Sequence, residues 1–206
     1  MEDLGDHKEH KNCKILKSEE VWNHFRQDNA KALGILYDRY VDDLYHYGQR
    51  ITKDQELIKD CIQDLFVDIW EKRKKFPEVH SMKFYLFKGL KRKIIRKLIR
   101  NRKLPIDKNI LEEYNFEIIF SCESELITRQ ISEHQQKQLL QSLNKLPRRQ
   151  KEAITLKFLD EFSYKEVAAI LSMSVKSTYH LIYRALGKLK ENFPKVITFI
   201  LLNSPF

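Results

Sequence analysis

The residues best suited to do chemistry lie near the C-terminus, where two helical patterns are joined by a tight turn. Ser163 and Glu166 have the S-x-x-E spacing of a capping box, in which each residue bonds to the other at the start of a helix. Ser172 to Ser174 then separate this short helix from a longer amphipathic pattern that begins at Val175. Two helices joined in this way form a helix-turn-helix, whose second helix lies in the major groove of DNA. The chemistry predicted here is therefore recognition of a nucleic acid, not catalysis.

The second helix of this motif offers polar, basic and aromatic side chains to solvent. Such groups can donate hydrogen bonds to phosphates and base edges. The predicted DNA-contacting residues are Lys176, Ser177, Tyr179, His180, Tyr183, Arg184 and Lys188. Ser172 stands where this turn often has glycine, which predicts a slightly strained or reshaped turn. A purely structural helical hairpin is the alternative, but the capping, the turn and the basic outer face all favour DNA binding.

A second basic segment, residues 83–103, holds ten Lys and Arg residues and no acid. Aromatic rings can stack on unpaired bases while cations hold the backbone, so this segment suits single-stranded DNA. The candidate contacts are Tyr85, Lys88, Lys91, Arg92 and Arg96. The inward-facing positions are predicted to be Phe84, Phe87, Leu90, Ile94, Ile95 and Leu98, with Tyr85 and the cations on the outer surface.

A basic amphipathic helix can also lie on a membrane or enter a calmodulin-like groove. Neither alternative explains why residues 141–206 are basic as well, with eleven Lys and Arg residues against five acids. Two separate basic surfaces instead indicate a long polyanion that is contacted at two places.

Just before the basic segment runs the clearest apolar stripe of the chain. Its members repeat in pairs every four residues, as one face of a helix requires: Leu57, Ile58, Cys61, Ile62, Leu65, Phe66, Ile69 and Trp70. The opposite face carries Glu56, Asp60, Gln63, Asp64, Asp68 and Glu71. Such a face is often simply solvated, and it would repel DNA, but it could bind a basic protein surface.

These motifs need helices to position them, and the composition supports an all-α fold. The 206 residues include only 5 Gly and 5 Pro, too few for a turn-rich β protein. We predict two small helical domains joined by a linker, the C-terminal one a helix-turn-helix domain of winged-helix-like type. The predicted segments are a flexible N-terminus at 1–19, a helical domain at 20–104, a linker at 105–135, the helix-turn-helix domain at 136–193 and an apolar tail at 194–206.

Several classes of protein are disfavoured. Cys13, Cys61 and Cys122 are an odd number at unrelated spacings, which argues against a disulfide framework and for a reducing compartment. Without a signal peptide or a long apolar run, we expect a cytoplasmic protein that does not insert into a membrane. His7, His10 and Cys13 lack a fourth ligand, so no metal is expected. No phosphate-binding loop or hydrolase motif is present, so no cofactor, small-molecule substrate or catalytic residue is expected.

Taken together, the motifs resemble the extracytoplasmic-function type of alternative sigma factor of bacterial RNA polymerase. The C-terminal module of that family is similar to L-P-R-R-Q-K-E at 146–152, F-S-Y-K-E-V-A at 162–168 and Y-R-A-L at 183–186. Its region two is similar to L-Y-D-R-Y at 36–40 and to D-C-I-Q-D-L-F at 60–66, followed by Trp70. The resemblance covers about residues 35–104 and 138–192, in the family's order.

The resemblance implies roles for particular residues. Asp60, Gln63 and Asp64 match positions that contact the clamp helices of the largest polymerase subunit, in agreement with the acidic face. Tyr85 falls where the family usually has Trp, near the melted downstream promoter element. Arg92 and Arg96 stand where the family often has Asn and Asp, which implies stronger phosphate binding and altered base selectivity. The implied partners are core RNA polymerase, double-stranded and melted promoter DNA, and an anti-sigma factor that is often membrane-bound.

Two other functions share some of these sequence features. A regulator of the response-regulator or quorum-sensor type shares the C-terminal pattern, but it would need a receiver or ligand-binding domain where residues 20–104 read as helices. A nucleic-acid-processing enzyme would need convergent carboxylates, whereas Asp60, Asp64 and Asp68 line one helix face outside the basic surface.

Overall fold

The computed structural model describes residues 18–75, 81–101, 114–119 and 133–192. It divides into two compact units, the first within residues 1–105 and the second made of residues 106–206 together with residues 50–53. Regular structure in the described residues is helical, which confirms the all-α prediction. The helices are α1 (Ser18–Arg26), α2 (Ala30–Ile51), α3 (Gln55–Lys72), α4 (Met82–Asn101), α5 (Glu133–Asn144), α6 (Arg148–Ile154), α7 (Tyr164–Ile170) and α8 (Val175–Asn192).

The core of the first unit is built on α3, which packs against α4. Asp54 caps α3, because its carboxylate accepts a hydrogen bond from the backbone N–H of Leu57 at 3.0 Å. The apolar stripe is buried as predicted, through Leu57, Ile58, Cys61, Ile62, Leu65, Phe66 and Ile69. Trp70, at the end of the stripe, is half-buried. The guanidinium of Arg73 lies 4.1 Å from the centre of its ring and donates to its carbonyl.

The inner face of α4 differs in part from the prediction. Its buried residues are Met82, Leu86, Phe87, Leu90, Ile94, Ile95 and Ile99. Phe84 and Leu98, expected to be buried, are only half-buried, and Tyr85 is half-buried instead of exposed. Residues 82, 86, 90 and 94 form an i, i+4 row, so Phe84 and Tyr85 fall at the borders of the packed face.

The second unit contains the predicted helix-turn-helix in α7 and α8. The capping box is present: Ser163 Oγ accepts from the Glu166 N–H at 3.3 Å, and the Glu166 carboxylate accepts from the Ser163 N–H at 2.9 Å. The turn passes through Ser172 with a φ of 54°, the left-handed conformation that glycine would adopt without strain. Ser174 then caps α8, accepting from the Ser177 N–H at 3.0 Å.

Part of the predicted linker packs into this unit. Residues 114–119 are extended, and Tyr114, Phe116 and Ile118 are buried while Asn115 and Ile119 are exposed. This alternation is that of an extended chain with one face on a core. The side chain of Asn144 in α5 bonds to both backbone groups of Ile118, at 3.0 Å and 3.2 Å.

Other predictions lie outside the described residues. These concern the N-terminal residues 1–17 with His7, His10 and Cys13, most of the linker with Cys122, and the C-terminal tail 194–206.

Candidate nucleic-acid interface

The predicted recognition surface on α8 is exposed along its length. Each of the seven predicted contact residues has an exposed side chain: Lys176, Ser177, Tyr179, His180, Tyr183, Arg184 and Lys188. The opposite side of α8 buries Thr178, Ile182, Ala185 and Leu189 against the rest of the unit. A cationic, hydrogen-bonding face on a helix anchored in this way can enter the major groove and contact phosphates and base edges.

Two residues that the sequence analysis did not predict, Tyr164 and Lys157, support this surface. The rings of Tyr164 in α7 and Tyr179 in α8 stack with their centroids 4.0 Å apart and their planes 21° apart. The ammonium nitrogen of Lys157 lies 5.0 Å from the centroid of the Tyr164 ring. Burial raises the pKa of the Tyr164 phenol above its ordinary value, and Tyr179 adds to the effect. The only sequence signal for this contact is the position of both tyrosines near the first turns of the two helices.

The second candidate surface, on α4, is less uniformly exposed than predicted. Arg92 and Arg96 are exposed, whereas Lys88 and Lys91 are half-buried. The Lys88 ammonium lies 5.3 Å from the centroid of the Phe84 ring. Burial, and then the neighbouring Arg92, lower the pKa of Lys88. Burial raises the pKa of Tyr85, and the nearby carboxylate of Asp68 raises it further.

The expectation that all cations of α4 face away from the protein is wrong for at least three of them. Lys83 Nζ lies 3.8 Å from an Asp43 carboxylate oxygen of α2. Lys93 Nζ lies 2.6 Å from an Asp68 carboxylate oxygen. Lys97 Nζ lies 2.9 Å from Asp64 and 3.7 Å from Asp60. The bond to Lys93 lowers the pKa of Asp68. One edge of α4 is thus neutralised by the acids of α3, and the cationic surface is narrower than the sequence suggests.

The acidic face of α3 remains largely accessible despite these ion pairs. The side chains of Asp60 and Asp64 are 66% and 51% exposed, and Gln63 between them is exposed as well. Surface pairs of this kind contribute little to stability and exchange readily with other partners. The face can therefore meet a basic protein surface without unfolding α3.

The described residues offer little for other kinds of chemistry. Among them, no group of three or more His, Cys, Asp or Glu side chains is placed to hold a metal ion. The thiol of Cys61 is buried, and burial raises its pKa to about 11, so it packs as an apolar side chain. A shallow depression in the first unit is lined by Asn23, Arg26, Gln27 and Lys74 and lacks a nucleophile with an adjacent base. In the part of the chain that is described, no helix is long and apolar enough to span a membrane.

Comparison with known families gives two matches in one chain. Residues 36–104 match Sigma-70 region 2, and residues 136–189 match Sigma-70, region 4. Together the two matches cover more than half of the chain. The first includes the acidic face and the basic helix, and the second includes the helix-turn-helix.

Curated relatives come from Bacillus subtilis (strain 168). The chain is 25% identical to the ECF RNA polymerase sigma factor SigM over 161 residues, which cover 75% of this chain and 91% of SigM. It is 26% identical to the RNA polymerase sigma factor YlaC over 160 residues, covering 78% of this chain and 91% of YlaC.

Solved structures share the fold. CnrH, solved in complex with the cytosolic domain of CnrY, has a TM-score of 0.53 at 23% identity and covers 85% of this chain and 96% of its own. The sigma factor RpoE of Bartonella quintana, solved with the anti-sigma factor NepR, has a TM-score of 0.54 at 21% identity and covers 81% of this chain and 99% of its own. With both family regions matched in order on the units that carry these surfaces, the chain belongs to the sigma-70 family of RNA polymerase sigma factors.

Proposed function

We propose that this chain is an alternative sigma factor of the extracytoplasmic-function type with three functional surfaces, one for polymerase and two for promoter DNA. It binds core RNA polymerase, directs it to specific promoters and helps to melt them. The observation that carries this proposal is the presence, in one chain, of a region-two unit with an acidic face beside a cationic helix and of a region-four unit with an exposed recognition helix.

The acidic face of α3 is the proposed polymerase contact. Asp60, Gln63 and Asp64 are exposed within five consecutive residues of α3. The two carboxylates would repel DNA but complement a basic protein surface. The ion pair from Lys97 to Asp64 orients the carboxylate without removing it from solvent. A basic partner can therefore compete for it.

The α4 surface is the proposed contact with melted DNA. Tyr85 provides a ring that can stack on an unpaired base, and Lys88, Lys91, Arg92 and Arg96 provide charge for the backbone of the separated strand. Of these four cations, Arg92 and Arg96 are exposed, whereas Lys88 and Lys91 are half-buried. Contact with phosphates should make promoter opening sensitive to salt.

The exposed face of α8 is the proposed reader of the upstream promoter element. Lys176, Arg184 and Lys188 supply charge, and Ser177, Tyr179, His180 and Tyr183 supply groups for base edges and phosphates. Catalysis belongs to the polymerase, so this chain needs no active site or cofactor of its own. Its place of action is the cytoplasm, where polymerase and promoters are found.

An anti-sigma factor is the proposed regulator. The support is the structural similarity to the Bartonella quintana sigma factor that was solved with one. The rival function is a regulator that binds DNA independently of polymerase. It would not explain the exposed acidic face of α3, which repels DNA.

The decisive experiment combines polymerase binding with transcription. Replacing Asp60 and Asp64 together by Lys should abolish both the pull-down of core polymerase and initiation from a promoter that the wild-type chain uses. A milder pair, Asp60→Asn with Asp64→Asn, should weaken both readouts and guards against a folding defect near Lys97. The control is Glu20→Lys with Asp42→Lys, an equal change of charge at exposed positions of α1 and α2. Normal binding by well-folded Lys variants would overturn the assignment.

A further inference from the structure

One ring of the recognition surface is held in place by the other helix of the motif. Tyr179 is 52% exposed, yet the ring of Tyr164 stacks on it at a centroid distance of 4.0 Å. Tyr164 is the first residue of α7, and Tyr179 lies one turn into α8. The contact therefore joins α7 and α8 beside the face of α8 that we assign to DNA.

Tyr164 is itself restrained from behind the motif. Lys157, in the π-helical turn Thr155–Leu159, is only 8% exposed, and its ammonium lies 5.0 Å from the centroid of the Tyr164 ring. A cation over an aromatic ring is attracted by the negative face of the ring, most strongly where water is excluded. The ordinary pKa of a tyrosine phenol, 10.0, is already well above neutral pH, and burial raises the pKa of Tyr164 further, so the ring stacks uncharged. Lys157, Tyr164 and Tyr179 thus form a row across three successive elements of the unit.

Tyr183 provides a natural comparison within the same helix. It lies one turn after Tyr179 on α8 and is 78% exposed. Both tyrosines belong to the face that we assign to DNA. Only for Tyr179 does the stack with Tyr164 fix the ring before any ligand arrives.

We propose that Tyr164 is a positioning residue for promoter recognition, which holds the Tyr179 ring in the orientation that it uses against double-stranded DNA. The inference rests on the proposed role of α8 in the major groove. Immobilising one side chain on binding weakens affinity by roughly twofold to tenfold, and a ring that is already stacked avoids that loss. Tyr164 acts through Tyr179 and need not touch DNA itself.

The test uses the full chain assembled with core polymerase and a duplex selected by the wild-type holoenzyme from a random-sequence library. Tyr164→Ala should weaken binding to this duplex by roughly twofold to tenfold. Tyr164→Phe keeps the ring and should restore wild-type affinity, whereas Tyr164→Leu keeps apolar volume without a ring and should not. Tyr179→Ala should also weaken binding.

The coupling between the two positions decides the result. In a Tyr179→Ala background, Tyr164→Ala should have no further effect, because there is no ring left to position. In a Tyr183→Ala background it should weaken binding by its full factor. Equal effects of Tyr164→Ala in both backgrounds, or wild-type affinity of Tyr164→Ala and Tyr164→Leu, would overturn the inference.

The same measurements separate this inference from the function beneath it. If Tyr179→Ala, Lys176→Ala and Arg184→Ala all bind the duplex as tightly as the wild type, α8 does not read DNA, and both proposals fail for this helix. If those three variants bind weakly while Tyr164→Ala binds normally, only the positioning role is refuted.

Discussion

Removing the hydroxyl of Tyr114 tests whether residues 114–119 help to stabilise the DNA-binding unit. This hydroxyl donates a hydrogen bond to the carboxylate of Glu152, whose side chain is completely buried. The Arg148 guanidinium lies 3.6 Å from the same carboxylate and 4.3 Å from the centroid of the Tyr114 ring. Tyr114→Phe removes the hydroxyl, and with it the hydrogen bonds to Glu152 and Arg148, while keeping the ring, its packing and its position beside the Arg148 guanidinium.

The expected loss of stability follows from the burial of Glu152. A hydrogen bond to a charged group contributes about 1.5–3 kcal/mol, and a buried carboxylate cannot replace the lost donor with water at no cost. Since Arg148 still faces the carboxylate, we expect about 2 kcal/mol for the second unit, or roughly a 30-fold change in its folding equilibrium. With a urea m-value of ~1–3 kcal/mol/M, the midpoint should fall by roughly 1 M.

The positions of the tryptophans make the assay specific to one unit. The chain has 2 Trp residues, Trp22 and Trp70, and both lie in the first unit. Tryptophan fluorescence therefore follows the first unit, while far-ultraviolet circular dichroism follows the helices of both. In a urea titration of the full chain, Tyr114→Phe should shift only the dichroism transition. Asn115→Ala, an exposed neighbour whose amide bonds to Glu117, is the control and should shift neither.

A pH titration gives an independent readout of the same contact. Burial, and then the charge of Glu152, raise the pKa of Tyr114 far above its ordinary value of 10.0. The folded state therefore keeps a proton that the unfolded state releases, so this contribution is constant below about pH 10 and is lost as the pH rises further. The variant should lack this loss. In the urea titration, identical dichroism transitions for Tyr114→Phe and the wild type would refute the reasoning. A shift of the fluorescence transition alone would refute it as well.

Two further predictions concern the first unit. Tyr85→Ala should leave polymerase binding and closed complexes nearly intact but slow promoter opening, because it removes the ring that stacks on an unpaired base. Wild-type levels of permanganate-reactive thymines would instead show that the half-buried Tyr85 serves only in packing. Gly48→Ala should destabilise this unit by about 1–3 kcal/mol, because its Cβ would lie 2.6 Å from Cγ2 of Ile58. Gly34→Ala has nothing within 4 Å and should be neutral or stabilising by ~0.5–1 kcal/mol; equal urea midpoints by tryptophan fluorescence for the two variants would contradict the packing argument.

Local patterns in the sequence were enough to predict the elements that carry function. The stripe from Leu57 to Ile69 and the capping box of Ser163 and Glu166 depend on residues no more than one or two helical turns apart. Helical periodicity and capping chemistry act over that range, so they can be read without a fold. The resemblance to the sigma-factor family rests instead on short sequence motifs, and the family matches at residues 36–104 and 136–189 confirm it.

The tertiary structure decided which charged and aromatic groups remain available. The sequence shows the cations of α4 as equivalent, yet Lys93 and Lys97 are engaged by acids of α3. Residues 114–119 look like acidic linker, but Asn144 bonds to their backbone and their alternate side chains are buried. Their alternation of buried and exposed side chains covers only six residues. From sequence alone, so short a pattern cannot be distinguished from irregular chain.

The stack of Tyr164 on Tyr179 illustrates the same limit within the recognition motif. Fifteen residues separate the two tyrosines, and the turn geometry, including the left-handed φ of 54° at Ser172, sets how their helices cross. Side-chain chemistry and periodicity determine which face of a helix is polar. Which polar groups on that face are paired, stacked or free depends on distances between elements, and only the folded chain fixes those distances.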